Sequence, residues 1–277
     1  MNNNRQDNTP GMFDNLKGII FDYGGTLDTC GQHWGKKLWH AYERQHVPVT
    51  EQQFRDAYVY GERTLGRNPI IKPDYTFHRT LATKIRLEME HLCTQGAWDA
   101  SEEEFKQKHQ AVLEDVYAEV LATTAHSAEV LTQLSERFPM VLVSNFYGNI
   151  ECVLQEFGLR KFFPRIVESA VVGIRKPDPR IFELGVEKLR SSDVETLRSS
   201  DVEKDANSKL SSLHSPLSTL HSQDVLVVGD SFYKDILPAQ KAGCRTAWFK
   251  GEGWTDAPVD ERQADRVITS LKELLAV

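Results

Sequence analysis

Cysteine is scarce in this chain: four residues in 277, Cys30, Cys93, Cys152 and Cys244, widely spaced and with no C-x-x-C pair. That usage gives no disulfide framework and no zinc-site spacing, so a reducing, cytoplasmic setting is expected. Long apolar runs are missing too. None approaches the roughly 20 residues needed to span a bilayer, which excludes a membrane helix. Positive charge is in deficit: 33 Lys and Arg stand against 40 Asp and Glu, a formal net charge of −7. The chain therefore has no electrostatic footprint for nucleic acid or an anionic membrane surface. The first residues, "MNNNRQDNTPG", lack the apolar core of a secretory signal and read as a disordered lead over 1–12.

What is present is ordinary globular material, 40% hydrophobic and 26% charged, over a length that can bury a sizeable core. Short apolar runs recur and stop at polar residues or glycine: Lys17–Asp22, Met140–Asn145, Arg165–Glu168, Asp224–Asp230, Cys244–Phe249 and Arg266–Ile268. Such runs predict strands buried on both faces of a parallel sheet. Between them, the spacing of apolar residues predicts helices over His126–Arg137, Asn149–Phe157 and Asp178–Leu189. Strands alternating with helices define an α/β fold with right-handed crossovers.

Two segments break that rhythm. From Gln32 to about Thr123 no strand is predicted; the pattern is helical over Trp34–His46, Thr50–Leu65, Asp74–His91 and Ser101–Leu121. A helical block over 31–123 predicts a second, smaller domain with linkers near Cys30 and Thr124, leaving 13–30 and 124–277 as the sheet-bearing core. Between 189 and 222, "LRSSDVET" is followed at once by "LRSSDVEK" and then by "SSLHSPLSTLHS". This serine-rich stretch is short of bulky core residues and is expected to be a surface insertion. Two copies are too few for a solenoid.

Four short motifs carry chemistry. "FDYGGT" ends the first strand in Asp22, and Gly24 and Gly25 allow a tight turn to Thr26 that can aim backbone N–H groups at an anion. "VLVSN" sets Ser144 and Asn145 at the end of the next strand. "RKPDP" holds Lys176 just before a helix, where its point charge can meet a phosphoryl oxygen. "GDSFYKD" ends a further strand in Asp230 and places Asp235 five residues on. Oxygen ligands converging from two strand ends suit Mg²⁺. Taken singly, each motif could be a turn, a helix cap or a solvated side chain. Taken in order, all four fall on the carboxyl edge, where open α/β sheets bind ligands.

Together the four motifs resemble the haloacid dehalogenase superfamily of hydrolases, over essentially the whole chain from Lys17 to Ile268. The resemblance implies an α/β fold with a Rossmann-like parallel sheet core and a mainly α-helical, mobile cap inserted after the first motif. It implies Mg²⁺-dependent hydrolysis of a small phosphorylated metabolite through an aspartyl-phosphate. On the same resemblance Asp22 is the nucleophile, and Thr26 and Ser144 hold the phosphoryl oxygens with Gly25 and Asn145 beside them. Lys176 offsets the charges of nucleophile and phosphate. Asp22, the Gly24 carbonyl and Asp230 bind the metal, and Asp235 supports its shell.

Gly24 departs from the family pattern. Its phosphatases usually have a second aspartate there, which protonates the leaving oxygen and then activates water. Loss of a general acid typically costs about 10²–10⁴ in rate. Four readings stay open. One is a phosphatase in which a good leaving group or another residue, Asp28 being the nearest, makes good the loss. Another is a phosphonate hydrolase, which needs a cap lysine from among Lys36, Lys37, Lys72, Lys84, Lys106 and Lys108. A third is a dehalogenase, against which the intact "GDSFYKD" metal motif argues. The last is a non-catalytic binding protein on a retained fold. Trp34, Trp39, Tyr42, Tyr58, Tyr60 and Trp98 are expected mainly as cap core. His33 and Trp34, nearest the catalytic loop in sequence, are the candidates for substrate contact.

Overall fold

The computed structural model of the protein describes residues 15–199, 220–254 and 259–276, with backbone alone over 192–199. The expected lead over 1–12 lies outside the described residues. All six apolar runs are strands: β1 (Gly18–Phe21), β2 (Met140–Ser144), β3 (Arg165–Glu168), β4 (Val225–Gly229), β5 (Arg245–Phe249) and β6 (Arg266–Ile268). They form one sheet in the order β3-β2-β1-β4-β5-β6, parallel at every pairing. β1, β2 and β4 are buried at every position, which is why their sequences show no alternation of polar and apolar residues. The strand order reverses between β1 and β4. Phe21 pairs with Val228, so the acids that follow each strand emerge side by side at this switch point.

The helical block packs over the carboxyl edge. It contains α1 (Trp34–Arg44), α2 (Glu51–Arg67), α3 (Phe77–Thr94) and the first part of α4 (Glu102–Ser135). Thr50, Thr76 and Ser101 cap α2, α3 and α4, each side chain accepting a backbone N–H of the first turn. Leu38, Phe54 and Ile85 of these helices belong to the same apolar cluster as Ile19, Leu142 and Phe249 of the sheet, so cap and core share one continuous interior. Tyr42, Tyr58 and Trp98 are buried as expected, whereas Tyr60 is 42% exposed. Around the sheet run α5 (Ile150–Glu156), α6 (Ser169–Val172), α7 (Arg180–Ser199) and α8 (Leu237–Lys241). Among the described residues no helix is long and apolar enough to cross a membrane.

Two expectations need correction. The helices expected over Ser101–Leu121 and His126–Arg137 are one continuous helix, α4, and no loop interrupts it near Thr124. Nothing in "LATTAHS" stops a helix, since it has neither glycine nor proline. The Thr123 and Thr124 hydroxyls donate back to the carbonyls of Glu119 and Val120, both at 2.9 Å. Buried positions continue along one stripe from Val112, Val116 and Val120 to Thr124, Ser127, Val130 and Leu134, so a single helix serves both interiors. Ser127 also donates to the Leu27 carbonyl at 2.8 Å, tying this strut to the loop after β1.

The second correction concerns 189–222. α7 does not end at Leu189 but runs to Ser199. Leu189 and Leu220 are both buried in one apolar cluster with Val225 and Val227, and Arg190 Nε donates to the Leu220 carbonyl at 2.9 Å. The ends of the segment are therefore core. The rest of the repeat and the serine-rich run lie outside the described residues or have no described side chains. Replacing 192–219 by a short flexible linker is expected to leave the melting temperature within a few degrees of the natural chain. Removing Leu220 as well should cost about 2–5 kcal/mol, the usual penalty for deleting a buried leucine. Thermal unfolding of the two deletions checks the difference.

Candidate active site

Asp22 follows β1 directly and is nearly buried, and its backbone N–H donates to the Val228 carbonyl at 2.9 Å. The Lys176 ammonium lies 2.7 Å from Asp22 Oδ1 and 2.7 Å from Asp235 Oδ1, with a side chain only 2% exposed. Ser144 Oγ, at the end of β2, donates to Asp22 Oδ1 at 3.0 Å. Asp235 Oδ2 accepts the Ser231 N–H at 3.0 Å. Carboxylate oxygens of Asp22, Asp230 and Asp235 all lie within 4.8 Å of one another. Thr26 Oγ1 reaches an Asp230 oxygen at 3.5 Å, and Trp248 Nε1 fixes the Asp230 carbonyl at 2.7 Å. Four sequence-distant motifs thus converge on one cluster.

Three carboxylates and one lysine leave this cluster with surplus negative charge. Burial pushes the Asp230 carboxyl far above the ordinary range, and the neighbouring charges of Asp235 and Asp22 add to the push. Burial also raises Asp235, held to about 6 by the opposing Lys176 charge. For Lys176 itself, burial pulls the ammonium down, but Asp22 and Asp235 outweigh it and the net shift is upward. The donor set is all oxygen, which fits a hard divalent cation. The Asp235 oxygens are taken by Lys176 and Ser231, whereas among the described residues those of Asp230 have only the distant Thr26 hydroxyl.

Two residues expected to face an anion turn inward. The Gly25 N–H donates to Asp28 Oδ1 at 2.7 Å, and the Thr26 and Leu27 N–H groups both donate to the Tyr23 carbonyl. Asn145 clasps the backbone of Lys176 from both sides: its Nδ2 donates to the Lys176 carbonyl at 3.1 Å, and its Oδ1 accepts the Lys176 N–H at 2.9 Å. Asn145 therefore positions the lysine. Gly25 has φ +98°, and a Cβ there would collide with the Asp230 carboxyl, so this turn admits no side chain. Gly24 is different. Its φ lies outside the left-handed region, and a Cβ would meet only the Trp34 indole, at 3.6 Å.

Asp28 is fully buried and lines the site. Its second oxygen accepts from Trp34 Nε1 at 3.1 Å. Burial pushes this carboxyl up to about 7, against the pull of its hydrogen bonds from Gly25 and Trp34. The Trp34 indole nitrogen thus stands next to both Asp28 and the space left open at Gly24.

A cavity of about 780 Å³ lies between the cluster and the cap. His33 and Trp34 line it, as do Tyr58 and Tyr147. His33 Nδ1 accepts the Gly35 N–H at 3.0 Å, and burial with nearby Lys234 and Lys84 holds the ring down at about 3, so it is neutral. Of the six cap lysines, only Lys72 and Lys84 line the cavity. Lys36, Lys37 and Lys106 are ion-paired to Glu51, Glu119 and Glu102, and Lys108 donates to the Gln45 carbonyl. Lys84 is ion-paired to Glu62, which also accepts from Tyr147 Oη at 2.9 Å. Glu62, Tyr147 and Arg175 are cavity residues that sequence reasoning missed. The partner of Glu62 in the core is 85 positions away.

The haloacid dehalogenase-like hydrolase family model matches residues 16–243, and the chain belongs to that family. A 120-residue stretch is 28% identical to glyceraldehyde 3-phosphate phosphatase of Pyrococcus furiosus, covering 43% of this chain and 38% of that protein. Haloacid dehalogenase-like hydrolase domain-containing protein 3 of Mus musculus is 30% identical over 137 residues, 49% of this chain and 43% of its own. The chain thus spans about two fifths of the length of the curated relatives it matches. The HAD-hydrolase YfnB of Bacillus subtilis, in a magnesium-bound crystal form, shares the fold at a TM-score of 0.52 and 18% identity, over 94% of this chain and 97% of that one.

Proposed function

We propose that the protein is a Mg²⁺-dependent phosphatase that hydrolyses a small phosphorylated metabolite through a phosphorylated Asp22. The observation that carries this reading is the Lys176 ammonium bridging Asp22 and Asp235 at 2.7 Å each, with Asp230 in the same cluster. Asp22, Asp230 and the Gly24 carbonyl would hold the metal, and Asp235 would steady Lys176 and the turn beside it. Bound Mg²⁺ would offset the charge of the phosphoryl group as it approaches Asp22.

An Asp22 carboxylate oxygen attacks phosphorus, and the ester P–O bond breaks. Lys176 offsets the charge of nucleophile and phosphoryl group, while Ser144 and Thr26 turn their hydroxyls to the phosphoryl oxygens. Asp28 is the group we assign to proton transfer. It gives its proton to the leaving oxygen. As a carboxylate it then takes a proton from the water that attacks phosphorus, releasing phosphate and restoring Asp22. Asn145 acts through Lys176, by fixing its backbone.

Phosphonate hydrolysis is less well supported. A lysine that attacks a carbonyl must shed its proton and be free to reach the substrate, whereas of the two cap lysines at the cavity Lys84 is ion-paired to Glu62 and Lys72 donates to the Pro69 carbonyl. The test is a screen of phosphorylated metabolites with Mg²⁺. Turnover of at least one ester is expected, with loss of that turnover in excess EDTA and recovery on adding Mg²⁺ back. Turnover that survives EDTA, or no turnover of any ester, would contradict the proposal.

A further inference from the structure

The cavity is chemically two-sided. Its inner end carries the carboxylates and Lys176. Apart from that cluster and Asp28, its lining carries Arg67, Lys72, Lys84, Arg175 and Lys234 against a single acid, Glu62. Glu62 is already neutralised. Burial would raise its carboxyl, yet Lys84 holds it below the usual range. Among the described residues none of Arg67, Arg175 and Lys234 is in salt-bridge contact with a carboxylate, although the Lys234 charge helps to hold Glu62 down, and Lys72 donates to the Pro69 carbonyl. These four cations line one cavity in a chain whose net charge is −7. Core and cap supply neighbouring members of the set. A guanidinium nitrogen of Arg175, from the core, lies 3.9 Å from where a Cβ on Gly66 would stand, beside Arg67 of the cap. The four are exposed, so water screens their mutual repulsion, but together they give this part of the cavity a positive field that attracts an anion. The transferred phosphoryl group cannot be that anion once it is seated on Asp22 and Lys176.

On the phosphatase reading, we infer that the substrate is a phosphate monoester carrying a second anionic group, a carboxylate or a second phosphate. Arg175 and Arg67 grip that group from the two sides of the opening, with Lys72 and Lys234 adding to the field. Guanidinium groups favour this role because their fork matches carboxylate and phosphate oxygens in pairs. Lys84, over the Tyr58 ring at 4.4 Å, sets the floor between the two anion sites and contacts the linking part of the substrate. Because the second group must span from Asp22 to the opening, one spacing between the two anions is preferred.

The test compares kcat/KM within matched pairs that differ by one anionic group: 3-phosphoglycerate against glycerol 3-phosphate, and fructose 1,6-bisphosphate against fructose 6-phosphate. For the better-spaced pair the dianionic member is expected to be favoured by about 10- to 100-fold, the range of a hydrogen-bonded charge. In the double variant Arg67→Gln with Arg175→Gln that ratio should fall to within about threefold of unity, and Arg175→Lys should keep part of it. Turnover without discrimination within either pair, or a ratio unchanged in the double variant, overturns this inference alone. Absence of turnover of every ester, p-nitrophenyl phosphate included, overturns the phosphatase reading and this inference with it.

Discussion

Asp22→Asn is expected to lower turnover of every phosphate ester by about 10⁴-fold or more, because a neutral amide is a poor nucleophile and no other carboxylate is placed to take the phosphoryl group. The fold should survive the change. The asparagine oxygen can keep the hydrogen bond from Ser144, and Lys176 retains Asp235 at 2.7 Å. Removing one of three crowded carboxylates also relieves repulsion with Asp230. The melting temperature, measured beside the kinetics, separates loss of chemistry from loss of structure. Residual turnover within tenfold of the natural enzyme would remove Asp22 from the nucleophile's role.

The second large effect concerns the missing acid at position 24. Asp28→Asn should reduce kcat on alkyl phosphates by about 10²–10⁴-fold, and much less on p-nitrophenyl phosphate, whose phenolate leaves without a proton. One complication is predictable. The asparagine amide cannot accept from both the Gly25 N–H and the Trp34 indole, so one of these bonds is lost at a cost of about 1–3 kcal/mol. Trp34→Phe removes the same indole bond while leaving the acid. It should therefore weaken the protein and, by releasing a bond that holds the Asp28 carboxyl down, shift the ratio far less than Asp28→Asn does. Gly24→Asp supplies the reciprocal arm. Its φ lies outside the left-handed region and the new Cβ would meet the Trp34 indole at ordinary van der Waals distance, so the backbone admits a side chain there. Placed on the Asp28→Asn background it should restore alkyl-phosphate turnover by at least about tenfold. An alkyl-to-aryl ratio unchanged by Asp28→Asn would show that Asp28 moves no proton.

The sheet was legible because its strands are buried on both faces, which writes a plain apolar run ending in a functional residue. Three of the four motifs were legible because each sits where such a run stops, and the fourth, around Lys176, because two prolines mark the start of a helix. Continuity was harder to read. At Thr124 the chain passes from the cap to the sheet-bearing core, and a linker was expected there, although both share one apolar interior. With no glycine or proline to stop it, and with threonine hydroxyls bonded to the preceding turn, the helix carries through. The segment after Leu189 misled in the same way, since its buried Leu220 lies in a serine-rich run that carries no apolar pattern. Asn145 and Gly25 were read as anion donors because their partners, Lys176 and Asp28, are fixed only by tertiary structure. That only Lys72 and Lys84 of the six cap lysines reach the cavity likewise depended on the tertiary packing of the cap.

Beryllofluoride, which mimics a phosphoryl group on aspartate, tests the central claim without knowledge of the substrate. Thermal unfolding should be followed with Mg²⁺ alone, with beryllofluoride alone and with both, in the natural chain and in Asp22→Asn. At about 100 times the dissociation constant a ligand stabilises by about 2.7 kcal/mol, which for a chain of this size is a rise of roughly 5–10 °C. The account predicts that rise for the natural chain only when Mg²⁺ and beryllofluoride are both present, and no such rise for Asp22→Asn. A natural chain that does not respond to the pair, or an Asp22→Asn variant that responds equally, would contradict it.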